Sequence, residues 1–163
     1  MKINLNAGIR QLSLYFSGII MLVAISTSCS KDNSDGGTAQ MYSTAGNASG
    51  AQENPSNSSS GSGTLSGTLN ATTNNWQYSI SWNSLTSAAS IVEVRGPATV
   101  GLNGALMFTL AISTPGVSGS ANGNVTLTAQ QEADLLANKC YYTILSSTYL
   151  TGEIRGQIIA TAN

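Results

Sequence analysis

The chain contains no histidine in its 163 residues. This absence excludes imidazole acid/base chemistry and histidine ligation of a metal. Charge is nearly as scarce, with six Lys and Arg against seven Asp and Glu, 8% of the chain and a net charge of −1. Nucleic-acid binding needs a clustered basic surface, and the sequence supplies none. Cysteine is limited to Cys29 and Cys140. Helical periodicity is lacking beyond the N-terminal segment, apart from one short stretch. What remains is rich in Gly, Ser, Thr and Asn, the composition of an exported all-β domain, and the length suits one domain with a proper core.

The N-terminal segment reads as an export signal. Lys2 and Arg10 form a basic region, and 12–25 is an apolar run shorter than the about 20 residues needed to cross a bilayer. The following Ser26-Thr27-Ser28-Cys29 resembles a bacterial lipobox, in which the cysteine is diacylated and becomes the new N-terminus. Ser26 stands where Leu is usual; looser boxes of this kind are familiar among Bacteroidetes lipoproteins, and Ser30-Lys31-Asp32-Asn33 resembles their surface-export signal. An ordinary secretory signal cleaved nearby is the alternative. The expected layout is a signal peptide over 1–28, a lipidated Cys29 and flexible tether over 29–40, and a β domain over 41–163. Cleavage before Cys29 removes Lys2 and Arg10, leaving four basic and seven acidic residues, a net of −3. With Cys29 used for lipid, Cys140 has no disulfide partner and reads as a small buried apolar residue at a strand start.

From Met41 onward, short strands alternate with turn chemistry. Strands are expected over 42–48 and 64–70, with 51–61 a polar surface loop between them. The cleanest strand is 76–83, where Trp76, Tyr78, Ile80 and Trp82 share one face opposite Gln77, Ser79, Ser81 and Asn83. It should form a hairpin with 64–70, its aromatic row facing the core. Further strands are expected over 88–95, stopped by Gly96-Pro97, over 104–112 with Leu106, Phe108, Leu110 and Ile112 on one face, and over 124–128 after a loop at 113–123. Thr128 and Gln131 fit a capping box that opens a helix to about residue 138, with Ala133, Leu135 and Leu136 inward and Lys139 complementing its dipole. Strands over 140–146 and 152–161 close the chain. The fold class is all-β: an antiparallel, Greek-key-like sandwich or barrel of about seven or eight strands with one short helix near 129–138.

Within this charge-poor chain, Glu93-Val94-Arg95-Gly96 and Glu153-Ile154-Arg155-Gly156 echo each other. In each copy an acid and a base two residues apart leave the same face of a strand. With these landmarks the domain resembles the CHRD family, the chordin-type domain found in chordin and in many bacterial exported proteins. The resemblance runs from about residue 48 to 160, through Ser49-Gly50-Ala51-Gln52-Glu53-Asn54-Pro55, Gly63-Thr64-Leu65, Arg95-Gly96-Pro97-Ala98, the helix from Leu127-Thr128 to Leu136-Ala137, and Gly152-Glu153-Ile154-Arg155-Gly156-Gln157. The departures concern histidine. Where the family usually reads His-x-His-Gly-Pro this chain has Glu93-Val94-Arg95-Gly96-Pro97, and for Asn-Val-His-Thr it has Thr143-Ile144-Leu145-Ser146. Any metal or proton site that those histidines build in relatives cannot exist here. The candidate replacement is a charge network of Glu93, Arg95, Glu153 and Arg155; the alternative is four charges solvated independently.

The functional expectation is a lipid-anchored, non-catalytic binding or structural module of the cell envelope, an outer-membrane lipoprotein facing the periplasm or the exterior. Its partners would be the membrane, through Cys29, and an unknown protein or surface polysaccharide, with no nucleic acid, cofactor or metal. Carbohydrate binding by Tyr141, Tyr142, Tyr149 and Trp76 is one alternative. A metal-dependent or hydrolytic envelope enzyme is another, with Asp32, Asp35, Glu132 or Asp134 as conceivable calcium ligands although no loop has their spacing, or with Glu93 and Glu153 as a carboxylate pair. In that pair the neighbouring arginines would favour ionisation and disfavour the protonated acid.

Overall fold

The computed structural model describes residues 39–163. Cys29, the export segment and most of the tether lie outside the described residues. The elements in chain order are β1 (Met41–Ser49), a single 3-10 turn (Gly50–Gln52), β2 (Ser62–Asn70), β3 (Asn75–Asn83), β4 (Ala89–Arg95), β5 (Leu106–Leu110), β6 (Gly119–Thr126), α1 (Ala129–Leu136), β7 (Tyr141–Ser146), β8 (Ile154–Gln157) and β9 (Ile159–Ala162). The nine strands belong to one antiparallel sheet in the order β5-β4-β7-β8-β1-β2-β3-β6, with β9 also on β1. The two ends, β5 and β6, return into contact, so the sheet nearly closes into a barrel. Near-closure leaves little unpaired edge and encloses one core.

The alternating strands pack as their periodicity dictates. Trp76, Ile80 and Trp82 are buried, as are Leu65 and Leu69 of the partner strand. Trp76 Nε1 donates to Thr44 Oγ1 at 2.9 Å and Trp82 Nε1 to the Gly116 carbonyl at 3.1 Å, so each buried indole N–H is satisfied. The Thr128 capping box forms in both directions: Gln131 N donates to Thr128 Oγ1, and Thr128 N to Gln131 Oε1. Cys140 is a buried free thiol whose pKa burial pushes up to about 12.

Five expectations are corrected. The strand at 124–128 starts earlier, at Gly119, because β3 pairs with this Gly/Ser/Asn-rich stretch as far as Gly119. The single last strand is two: β8 pairs with β7, β9 pairs with β1, and the bend at buried Ile158 switches the chain between neighbours. Leu106 does not share a face with Phe108, because Val94 pairs with Phe108 and Arg95 with Leu106, leaving Met107 as a bulge that turns Leu106 outward. In α1 Leu135 is buried and Leu136 packs partly buried against the core as expected, but Ala133 is exposed and Asp134 is buried instead. Lys139 lies beyond the last helical turn, which holds no basic residue.

Candidate functional site

The register of β4, β7 and β8 builds a polar layer on the outer face of the barrel. Glu93 lies opposite Thr143, and Thr143 opposite Arg155; one step along, Arg95 lies opposite Tyr141, and Tyr141 opposite Gln157. Alternation sends Val92, Val94, Tyr142, Ile144 and Ile154 into the core from the same strands. Strand β7 therefore stands between the two Glu-x-Arg segments.

The four charges do not join into one ion-paired network. Glu93 and Arg95 pair, with Nε 2.6 Å from Oε2, and this is the single salt bridge among the described residues. That hydrogen bond raises the Arg95 pKa further. Arg155 is buried and finds other partners: its guanidinium lies 3.5 Å over the Tyr141 ring, Nη2 donates to the Leu102 carbonyl at 2.7 Å, and Nη1 to Asn103 Oδ1 at 3.2 Å. Burial lowers its pKa, with Tyr141 and Glu53 opposing the shift; a guanidinium stays charged regardless. Glu153 precedes the β8 ladder, after Gly152 at φ +137, so strand alternation does not govern where it points. Its fully buried carboxylate accepts from Ser59 Oγ at 2.7 Å and Thr86 N at 2.5 Å. Burial pushes its pKa up, but hydrogen bonding by Ser146, Thr86 and Ser59 outweighs that, and the net shift is downward. Glu153 is thus an architectural tie between the 50–61 loop, the turn after β3 and the start of β8, also braced by Asn57 Nδ2, which donates to the Glu153 carbonyl.

The loop 51–61 does more than cover the surface. It folds over the sheet, with Asn54 Nδ2 donating to the Gly101 carbonyl and Asn103 Nδ2 to the Asn54 carbonyl. This clasp places Glu53 against the polar layer, where Thr143 Oγ1 donates to its Oε1 at 2.6 Å. Burial raises the Glu53 pKa, partly opposed by Thr143 and the charges of Arg155 and Arg95. A Cβ on residue 152 would come 2.5 Å from Glu53 Oε1 and 2.6 Å from Thr143 Oγ1, so Gly152 is required by this contact as well as by its φ. No role attaches to Glu53 in the sequence reading. The available signal was a lone acid inside the Gln52-Glu53-Asn54-Pro55 motif of a chain with few charges.

Between the 51–61 and 97–104 loops lies a cleft of about 370 Å³, lined among others by Glu53, Arg95, Tyr141, Thr143, Leu145 and Leu150. That volume falls in the range of ligand sites. Glu93, Arg95 and Leu145, where the resemblance places histidines, share this face: Glu93 and Arg95 are two residues apart on β4, and Leu145 opposes outward Ile91. Thr143 donating to a carboxylate of raised pKa has the outline of a nucleophile and its base. Thr143 is only 1% exposed, however, and its hydroxyl is enclosed by Glu53 and Gly152, which closes the path of attack. Among the described residues, no group of three or more His, Cys, Asp or Glu is placed to hold a metal ion. Of the four aromatics considered as a carbohydrate platform, Trp76, Tyr141 and Tyr142 are buried, the Tyr141 face carries the Arg155 guanidinium, and Tyr149 alone is partly exposed, so the four form no shared platform.

The fold, the clasped loop and the terminal Gly152–Gln157 segment define a small β domain of one recognisable type. The CHRD domain family model matches residues 45–158, and the chain belongs to that family. No curated protein and no solved structure matches it.

Proposed function

We propose that this chain is a lipid-anchored CHRD-domain protein of the cell envelope that binds a partner through the cleft and performs no chemistry. The observation that carries this reading is an open cleft whose reactive-looking groups are committed internally: Arg95 to Glu93, Thr143 to Glu53, and Arg155 to Tyr141 and two oxygens. Groups held this way present a preorganised surface and offer no free nucleophile or base. The lipobox-like Ser26-Thr27-Ser28-Cys29 supports anchorage, since several acyl chains on one cysteine hold a protein stably to a membrane. The partner is a protein or a surface polymer.

The test has two parts. Cys29→Ala should move the protein from the membrane to the soluble envelope fraction, and a mutant still in the membrane fraction would overturn the anchor. Purified full-length chain should turn over no ester, glycoside or peptide substrate; turnover abolished by Glu53→Gln would replace binding with catalysis.

A further inference from the structure

Seven large apolar side chains are exposed among the described residues, and they are not scattered evenly. Leu150, 75% exposed, lines the cleft itself. Ile91 opposes the cleft residue Leu145, and Leu106 opposes Arg95, both on the outer face. Val100 and Leu102 sit on the loop that clasps Asn54 and caps Arg155. Only Val117 and Ile159 lie elsewhere. Single exposed apolar residues need no explanation, but a concentration around one cleft marks an interaction surface.

The charges that line the cleft are balanced, the Glu53 carboxyl against the Arg95 guanidinium, and the buried charges beside them, Glu93 paired with Arg95 and Arg155 close to Glu53, balance as well. A balanced floor exerts no net attraction on an ionic polymer. It does offer hydrogen-bond acceptors and donors side by side, the requirement of neutral peptide groups. The ring is aliphatic, and Tyr141, the aromatic side chain that lines the cleft, is already covered by Arg155, so the cleft lining offers no free ring to stack on a sugar. Aliphatic side chains of a polypeptide would bury against it, removing apolar surface from water on both sides.

We infer that the occupant of the cleft is a polypeptide: an uncharged, apolar-rich segment of a partner protein, laid across the ring of Ile91, Val100, Leu102, Leu106 and Leu150, its backbone amides meeting Glu53 and Arg95. This inference rests on the cleft being the binding site.

The experiment selects a displayed random-peptide library on the full-length chain in detergent, alongside a glycan array. Neutral, apolar-rich peptides are expected. A synthetic consensus peptide should lose at least about tenfold in affinity with Leu102→Asp or Leu150→Asp, both exposed positions whose change leaves the melting temperature unaltered. The same affinity should change by less than about threefold between about 50 and 500 mM salt. The inference is overturned by enrichment of charged peptides with steep salt dependence, by no enrichment at all, or by glycan binding instead. It is equally overturned if the two Asp variants abolish self-association of the wild type, or abolish liposome binding by the Cys29→Ala chain. Peptide binding that survives the Asp variants but is lost with Arg95→Ala would sink the ring and keep the cleft; binding indifferent to all three would sink both.

Discussion

Glu53 and Glu153 carry the same carboxyl group, and their surroundings push it in opposite directions from its ordinary value of 4.5. Glu153 has a lowered pKa, so its ionised form stabilises the native state above about pH 4.5, and that stabilisation is lost as the pH falls through the lower folded value. Glu53 has a raised pKa, so its contribution is favourable below pH 4.5 and is lost as the pH rises through the folded value. The cost of burying its charge is therefore present once the pH exceeds that folded value. Glu153→Ala should cost about 3 kcal/mol at pH 7, because the Ser59 and Thr86 donors lose their acceptor inside the fold. Denaturant titration should show the loss as a lower midpoint at unchanged slope. Glu53→Gln keeps an acceptor for Thr143 and removes the buried charge, so it should be at least as stable as the wild type at pH 7, with the advantage shrinking as the pH approaches 4.5. A marked loss of stability in Glu53→Gln at pH 7 would show that its attraction to Arg95 and Arg155 outweighs its burial.

At the scale of the element, period-two alternation made β2 and β3 legible, and two side chains three apart made the start of α1 legible. Those signals are local, and local geometry is enough to express them. The Met107 bulge has no such signal, since 104–112 alternates well and only pairing with β4 shows that one residue is extra. Leu106→Ser should consequently change stability by less than about 0.5 kcal/mol, whereas Leu110→Ala, three pairs further into the ladder, should cost about 2–4 kcal/mol. Equal losses at the two positions, measured by thermal or chemical unfolding, would place Leu106 in the core and remove the bulge. The start of β6 was illegible for the opposite reason: Gly119-Ser120-Ala121-Asn122 has low strand propensity, and pairing with β3 overrides it. In the last strand, Ile154, Gly156, Ile158 and Ala160 keep a period of two along one face, yet the chain changes neighbours at Ile158.

For the whole molecule, one nearly closed sheet around one core implies one cooperative unit. Cys140 reports on it, being buried at the junction of α1 and β7, with its thiol pushed up to about 12. In a full-length Cys29→Ser variant, a thiol reagent should label Cys140 only at the rate of global opening, slowing with every substitution that stabilises the barrel; rapid labelling under native conditions would reveal local opening around α1. The all-β class, the aromatic core face, the helix cap, the family and the exclusion of histidine chemistry are legible along the chain, because composition, periodicity and motif are properties of sequence neighbours. Tertiary structure alone decided the site. Glu53 reaches Thr143 across 90 positions, Arg155 is capped by a loop more than 50 positions away, and β7 separates two segments that read alike. The echo of Glu93-Val94-Arg95-Gly96 and Glu153-Ile154-Arg155-Gly156 thus resolves into a paired edge of a cleft and a buried tie, since strand order decides which charges can meet.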